Sequence, residues 1–288
     1  MSRVWGGLGI VVSFFVLSMA GGCTGFEDGG PSNASLTEGQ PETAQAEPAA
    51  GNSSTRNLLK LGNDIEARGS VATAVPIYER AAAEPDADAN VHLALADAYA
   101  KVNRERDAAE SYRKALAKAP DNGRALFGLG TISIRTGQIE AGLKMLERAA
   151  PLVNTPQAYD RLGVAHMMSG QPREALASFE QAYRLDNRDP DIATNLTLAA
   201  ALLSQRDRAI SLARQTLTLA NVKPYHRRNL ILALGISGKS DEAQAAADRQ
   251  LAPGELEGLV ERAEKIRQIS SAKERAIALG TVRLAAAR

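Results

Sequence analysis

The sequence predicts an all-α protein, a superhelical solenoid of about six stacked helix hairpins closed by a C-terminal capping helix. Three observations carry that prediction. A leucine recurs at Leu61, Leu95, Leu129, Leu162, Leu196 and Leu230, at spacings of 34, 34, 33, 34 and 34 residues. A fixed period of that length marks a stacked two-helix repeat. With each leucine as position 7, position 20 is always small: Ala74, Ala108, Gly142, Ala175, Ala209 and Ala243. Position 15 holds Gly69, Asn103, Gly137, Gly170, Ser204 and Gly238, residues that suit a turn with a left-handed backbone.

The remaining positions follow from that register. Position 8 is small in four units, at Gly62, Ala96, Gly130 and Gly163, and becomes Thr197 and Ile231 in the last two. Small residues at 8 and 20 let two antiparallel helices approach closely. Position 24 is bulky at Tyr78, Tyr112, Leu146 and Phe179, which with the leucines fills the space between helices. This pattern resembles the tetratricopeptide repeat (TPR), which implies a right-handed superhelix. Pro120 stands at that family's usual proline position, whereas the tryptophan favoured at position 4 is absent. The units run over about 55–88, 89–122, 123–155, 156–189, 190–223 and 224–253. The sixth is degenerate at positions 8 and 24, as expected where a stack must stop. Residues 254–288 then supply the cap and a basic tail, with Leu256, Val260, Ala263 and Ile266 on one helix face.

The N-terminus reads as a leader rather than as fold. Arg3 precedes an apolar run from Val4 to Ala20, and Ala20, Gly21 and Gly22 lead to Cys23. That order is the order of a secretory signal over 1–22. A retained membrane anchor is the alternative, although the run is short and broken by glycine. Cys23 is the only cysteine. Its setting resembles a bacterial lipobox, which implies an acylated (palmitate-bearing) Cys23. Ala20 departs from the leucine usual there, and an ordinary signal peptide leaving a free thiol is the other reading. Thr24 after the cysteine favours the outer membrane by the enterobacterial sorting rule. Residues 24–54 are rich in small and polar residues and read as a disordered tether. Their charges, Glu27, Asp28, Glu38, Glu42 and Glu47, are all acidic.

The whole chain carries +1, and residues 55–288 carry +5 without a basic block. That argues against a nucleic-acid partner. No catalytic constellation is present, so neither a cofactor nor a small-molecule substrate is expected. His92 and His166 fall at positions 4 and 11, which pack between hairpins. His226 has no carboxylate or cysteine companion at metal-ligand spacing along the chain, so no metal site is expected.

A surface is left to carry function. In TPR proteins the first helix of each hairpin lines a concave groove. The resemblance implies that Arg124, Phe127, Thr131, Ile134 and Arg135 line it in the third unit, and Asp160, Val164, Met167 and Met168 in the fourth. Thr194, Leu198, Ala201 and Leu202 follow in the fifth, and Tyr225, Arg228, Leu232 and Ile236 in the sixth. The apolar members would form one exposed stripe, which marks a binding surface for an amphipathic helix. The competing expectation is that the chain's own C-terminal helix fills the groove. Arg124, Arg135 and Arg228 would flank the stripe and steer an acidic segment.

The run from Arg227 to Leu251, RRNLILALGISGKSDEAQAAADRQL, resembles the last repeat of the TadD family, lipoproteins of tight-adherence (Flp/Tad type IV) pilus systems. That resemblance implies a non-enzymatic scaffold at the outer membrane that binds or pilots the secretin. Another periplasmic TPR lipoprotein is the alternative, such as a type IV pilus pilotin or an adaptor of cell-wall enzymes.

Overall fold

The computed structural model describes residues 50–247, 251 and 254–286. The leader, Cys23 and the tether up to residue 49 lie outside the described residues. Every described residue belongs to one compact unit, Glu47–Arg288.

Fourteen α-helices and no strands occur among the described residues. They pair into hairpins in chain order. The pairs are α1 (Ala50–Ala67) with α2 (Val71–Ala83), α3 (Ala89–Lys101) with α4 (Glu105–Lys118), and α5 (Gly123–Arg135) with α6 (Ile139–Val153). They continue as α7 (Pro156–Met168) with α8 (Pro172–Leu185), α9 (Pro190–Leu202) with α10 (Arg206–Leu217), and α11 (Pro224–Ile236) with the short α12 (Ser240–Ala246). Two single helices follow, α13 (Glu255–Gln268) and α14 (Ala272–Ala286).

Local chemistry starts the first helix of each inner hairpin. Asp88, Asn122, Thr155 and Asp189 each accept a backbone N–H from the first turn of α3, α5, α7 and α9. These bonds satisfy donors that a helix start leaves open. Pro156, Pro172, Pro190 and Pro224 occupy first-turn positions, where a missing N–H costs nothing. Position 15 turns every hairpin in the left-handed region, with φ between 60° and 85° from Gly69 to Gly238. Ser204 adopts φ 60° with neither glycine's freedom nor asparagine's tolerance of that region. Ser204→Gly is therefore expected to raise the urea midpoint, by about 0.5–1 kcal/mol of stability. Circular dichroism at 222 nm measures it, and an unchanged or lower midpoint would contradict the strain.

Close approach within hairpins follows the small positions. A Cβ on Gly163 would sit 2.5 Å from the Phe179 ring, and one on Gly62 would sit 2.4 Å from Tyr78. Between α5 and α6, a Cβ on Gly142 would meet the Gly130 carbonyl at 2.8 Å. The position-24 side chains Tyr78, Leu146 and Phe179 are buried. Five of the six periodic leucines, from Leu95 to Leu230, are buried as well. Leu61 is not: it is 46% exposed. Position 7 faces the second helix of the preceding hairpin, as Leu162 does with Leu143 and Leu146 of α6. Among the described residues no hairpin precedes α1, so Leu61 has no such cover.

The far end of the stack is closed by the chain itself. Helix α13 packs on α11, where a Cβ on Gly235 would sit 2.5 Å from the Ala263 Cβ. Helix α14 then turns back and lies against α7, α8 and α9. No described helix is long and apolar enough to cross a membrane.

Candidate functional site

First helices of successive hairpins pack on one another, α9 with α11 and α7 with α9, so they line the inner side of the stack. On this side lie the residues assigned to the groove, but most are not arranged as an open apolar stripe. Leu198, Leu202 and Leu232 are 5%, 0% and 3% exposed. They share a core with Ala263 and Ile266 of α13 and Ala276 of α14, and Val164 and Met167 pack half-buried against it. Helix α14 is the cover: Lys273 and Ile277 close over Gly170, and Ala276 is fully buried. Met168 is half-buried. Phe127 and Ile134 are half-buried against Leu143 and Leu146, and Thr131 donates to the Phe127 carbonyl at 2.8 Å. The expectation of a continuous exposed stripe is therefore corrected. Its C-terminal half is core, because α9 and α11 pack on each other there, α13 lies on α11 and α14 lies on α7 and α9.

The three rim arginines are also engaged. Arg124 pairs with Asp97 at 2.5 Å, Arg135 with Glu105 at 3.2 Å, and Arg228 with Glu255 of α13. These are largely exposed pairs that add little stability, but each arginine's charge is already met by a carboxylate of the same chain.

Beyond the edge of α14 the inner face is polar and open. A pocket of about 250 Å³ lies among the N-terminal halves of α7, α9 and α11. It brings together Asp160, Val164, Thr194 and Tyr225 of the expected groove positions, and adds Asp191, Asn195, His226 and Asn229. The Asn195 amide donates to Asp160 Oδ1 at 2.8 Å. Burial pushes the Asp160 carboxyl above its ordinary value; Asn195 and Arg161 pull it down, while Asp189 and Asp191 push it up further. Asp189 is occupied in capping α9.

Asp191, His226 and Tyr225 form the second cluster. The Tyr225 hydroxyl donates to Asp191 Oδ1 at 2.8 Å, and His226 Nε2 lies 2.9 Å from the same oxygen. The Lys223 backbone N–H donates to His226 Nδ1 at 2.9 Å. That bond leaves the imidazole proton on Nε2, so His226 is the neutral donor to Asp191. Burial raises the Asp191 carboxyl, but the bonds from His226 and Tyr225 outweigh it and hold the group below its ordinary value. His226 therefore does have a carboxylate companion, against the reading along the chain. The companion stands 35 residues upstream, one repeat away.

His92 and His166 are buried at 7% exposure each. His166 bonds Gln171 at 2.7 Å. Burial, with Lys118 and Lys114 nearby, pushes the His92 imidazole below its ordinary value. Among the described residues no three His, Cys, Asp or Glu side chains are placed to share a metal ion. The pocket brings hydrogen-bond donors, acceptors and carboxylates together on the inner face.

Residues 100–162 match one profile of the tetratricopeptide repeat and residues 156–189 match a second. The fold is the tetratricopeptide-repeat solenoid. In sequence the chain is 28% identical over 261 residues to the type IV pilus assembly protein PilF of Pseudomonas aeruginosa, covering 87% of this chain and 97% of that one. Cellulose synthase operon protein C of Pseudomonas fluorescens is 29% identical over 144 residues, 46% of this chain and 11% of that protein. Among solved structures, Pseudomonas aeruginosa PilF superposes with a TM-score of 0.56 at 20% identity, over 69% of this chain and 90% of its own. MamA of Desulfovibrio magneticus RS-1 gives 0.52 at 17% identity, over 59% and 97%. At these identities the structural likenesses speak to the fold alone.

Proposed function

We propose that this chain is a non-enzymatic scaffold for type IV pilus assembly in the bacterial cell envelope, and that it works by holding a protein segment along the inner face of α7, α9 and α11. The observation that carries the reading is the similarity to PilF, which runs nearly end to end in both chains. The open, polar inner pocket, lined by hydrogen-bonding groups from three successive hairpins, supports a binding role.

Three finer elements belong to the same proposal. Cys23 is acylated and anchors the protein in the outer membrane, facing the periplasm. The tether, which ends where α1 begins at Ala50, lets the solenoid stand off that membrane. The partner is the outer-membrane secretin or another component of the pilus machine, and anchoring makes even weak capture effective by raising local concentration. The run from Arg227 to Leu251 supports the tight-adherence variety of such a system.

Deleting the gene is expected to abolish surface pili and to deplete the detergent-resistant secretin multimer, with both restored by the wild-type chain. Cys23→Ser is expected to move the protein to the soluble periplasmic fraction and restore neither. Electron microscopy, immunoblotting and fractionation measure these outcomes. Normal piliation in the deletion strain would sink the proposal, and full function of soluble Cys23→Ser would sink the anchor.

A further inference from the structure

The inner pocket has a chemistry more specific than a general protein-binding face. Three carboxylates surround it, Asp160 on α7, Asp189 at the start of α9 and Asp191 in its first turn. Arg161 on α7 faces them, and Lys223, whose ammonium lies 5.8 Å from the Tyr225 ring centre, stands at the start of α11. His226 adds no charge, because its Nδ1 accepts the Lys223 N–H. Negative charge is therefore in excess.

The carboxylates are not equally occupied. Asp189 accepts two backbone N–H groups and Asp191 accepts from His226 and Tyr225. Asp160 accepts one side-chain bond, from the neutral amide of Asn195.

A second observation is independent of charge. Thr194 lines the pocket at 1% exposure, and its hydroxyl has no hydrogen-bond partner. Three other helical threonines settle their hydroxyls on the carbonyl four residues back, Thr131 at 2.8 Å, Thr197 at 2.7 Å and Thr216 at 2.7 Å, and the buried Thr55 donates to Asp86. Thr194 does neither. A buried hydroxyl without a partner costs about 1–3 kcal/mol, so its survival here points to a partner that arrives from outside. Asn229, half-buried on the α11 wall, brings a side-chain amide to the same pocket.

We propose that this pocket is a subsite for one cationic side chain, lysine or arginine, of a bound protein segment, seated between Asp160, Thr194 and Asn229. An ammonium carries three donors and a guanidinium five, and both suit a set of acceptors around excess negative charge. An anionic side chain would meet three carboxylates. A metal ion lacks a set of ligands placed to share it. The raised Asp160 carboxyl supports the assignment, since a buried acid short of a counter-charge behaves in that way. The inference rests on the inner-face reading only in attributing the cation to a protein.

The test uses blocked amino acids as probes. Acetyl-lysine methylamide and acetyl-arginine methylamide are titrated into the whole protein, with acetyl-norleucine methylamide as the uncharged control, while the side-chain amide signals of Asn195 and Asn229 are followed by nuclear magnetic resonance. Saturable shifts are expected with the two cations and not with norleucine. Asp160→Asn is expected to weaken the cations about tenfold or more, as loss of a charged hydrogen bond does, and Thr194→Val is expected to weaken them several-fold without loss of fold.

Asp160→Asn carries a second readout. A carboxyl raised above its unfolded value lowers stability as pH rises from the unfolded value through the folded one. The variant should therefore raise the urea midpoint at pH 7 while it weakens binding. Equal shifts from norleucine, no saturable shift, or undiminished binding by Asp160→Asn would each overturn the subsite. None of those results touches pilus assembly, which the deletion strain tests separately.

Discussion

Gly163→Leu is expected to cost about 3 kcal/mol or more, the upper end for overpacking a filled core, and to separate α7 from α8. The Phe179 ring stands 2.5 Å from where the first added carbon would lie. Phe179 is 2% exposed and shares its core with Leu176, Leu196 and Leu202. The ring has nowhere to retreat without disturbing three helices. Gly163→Ala adds that one carbon alone. Its gain in helix propensity, about 1 kcal/mol, is set against an overpacking cost of about 1–3 kcal/mol, and the net is a loss. Gly258 supplies the control, because it lies within α13 and an added Cβ there meets nothing within 4 Å. Gly258→Ala should stabilise by about 0.5–1 kcal/mol. Urea unfolding of the two alanine variants should thus move in opposite directions. Equal shifts would mean that the close approach of α7 and α8 is not what position 8 provides.

The same residues show why the fold was legible before any coordinates. Glycine and alanine at positions 8 and 20, and a left-handed turn at position 15, are local demands that only certain residues meet. A period of 34 repeats those demands until coincidence is excluded. The periodic leucine was less complete evidence. It says that a residue will pack if something precedes it, and Leu61, 46% exposed, shows the condition failing at the first described hairpin.

The site was legible in a different way. Register placed Asp160, Val164, Thr194 and Tyr225 on the inner face, where the pocket lies. It missed their partners because it compared residues within a unit. The bonds run between units: Asp160 with Asn195, 35 residues on, and Asp191 with Tyr225 and His226, 34 and 35 residues on. The Glu66–Lys101 pair spans 35 residues as well. A search for complementary groups one repeat apart would have found each of them. No such rule reveals the course of α14. Its residues lie outside the repeat, and whether it continues the stack or folds back depends on packing that spacing does not encode.

The position of α14 leads to the second large effect. Removing residues 271–288 should expose the part of the core on α7 and α9, Met167, Leu198 and Leu202, which Ala276 now helps to cover, while Leu232 keeps its cover from α13. Losing the cover over large apolar side chains is expected to cost about 2–4 kcal/mol, and should raise binding of a hydrophobic dye such as ANS several-fold. Ala276→Glu asks the same question without shortening the chain. Ala276 is 0% exposed, so the carboxylate must either be buried at prohibitive cost or drive α14 off the stack. Both variants should keep the helical signal of α1 to α10, since those hairpins do not depend on the last helix. The polar pocket should stay open in both, because it lies on the N-terminal halves of α7, α9 and α11. If the truncated chain binds no more dye than the whole one, α14 is not what covers the apolar half. If it does, the inner face has two parts with separate tasks. The apolar part holds α14, and the polar part remains open to solvent.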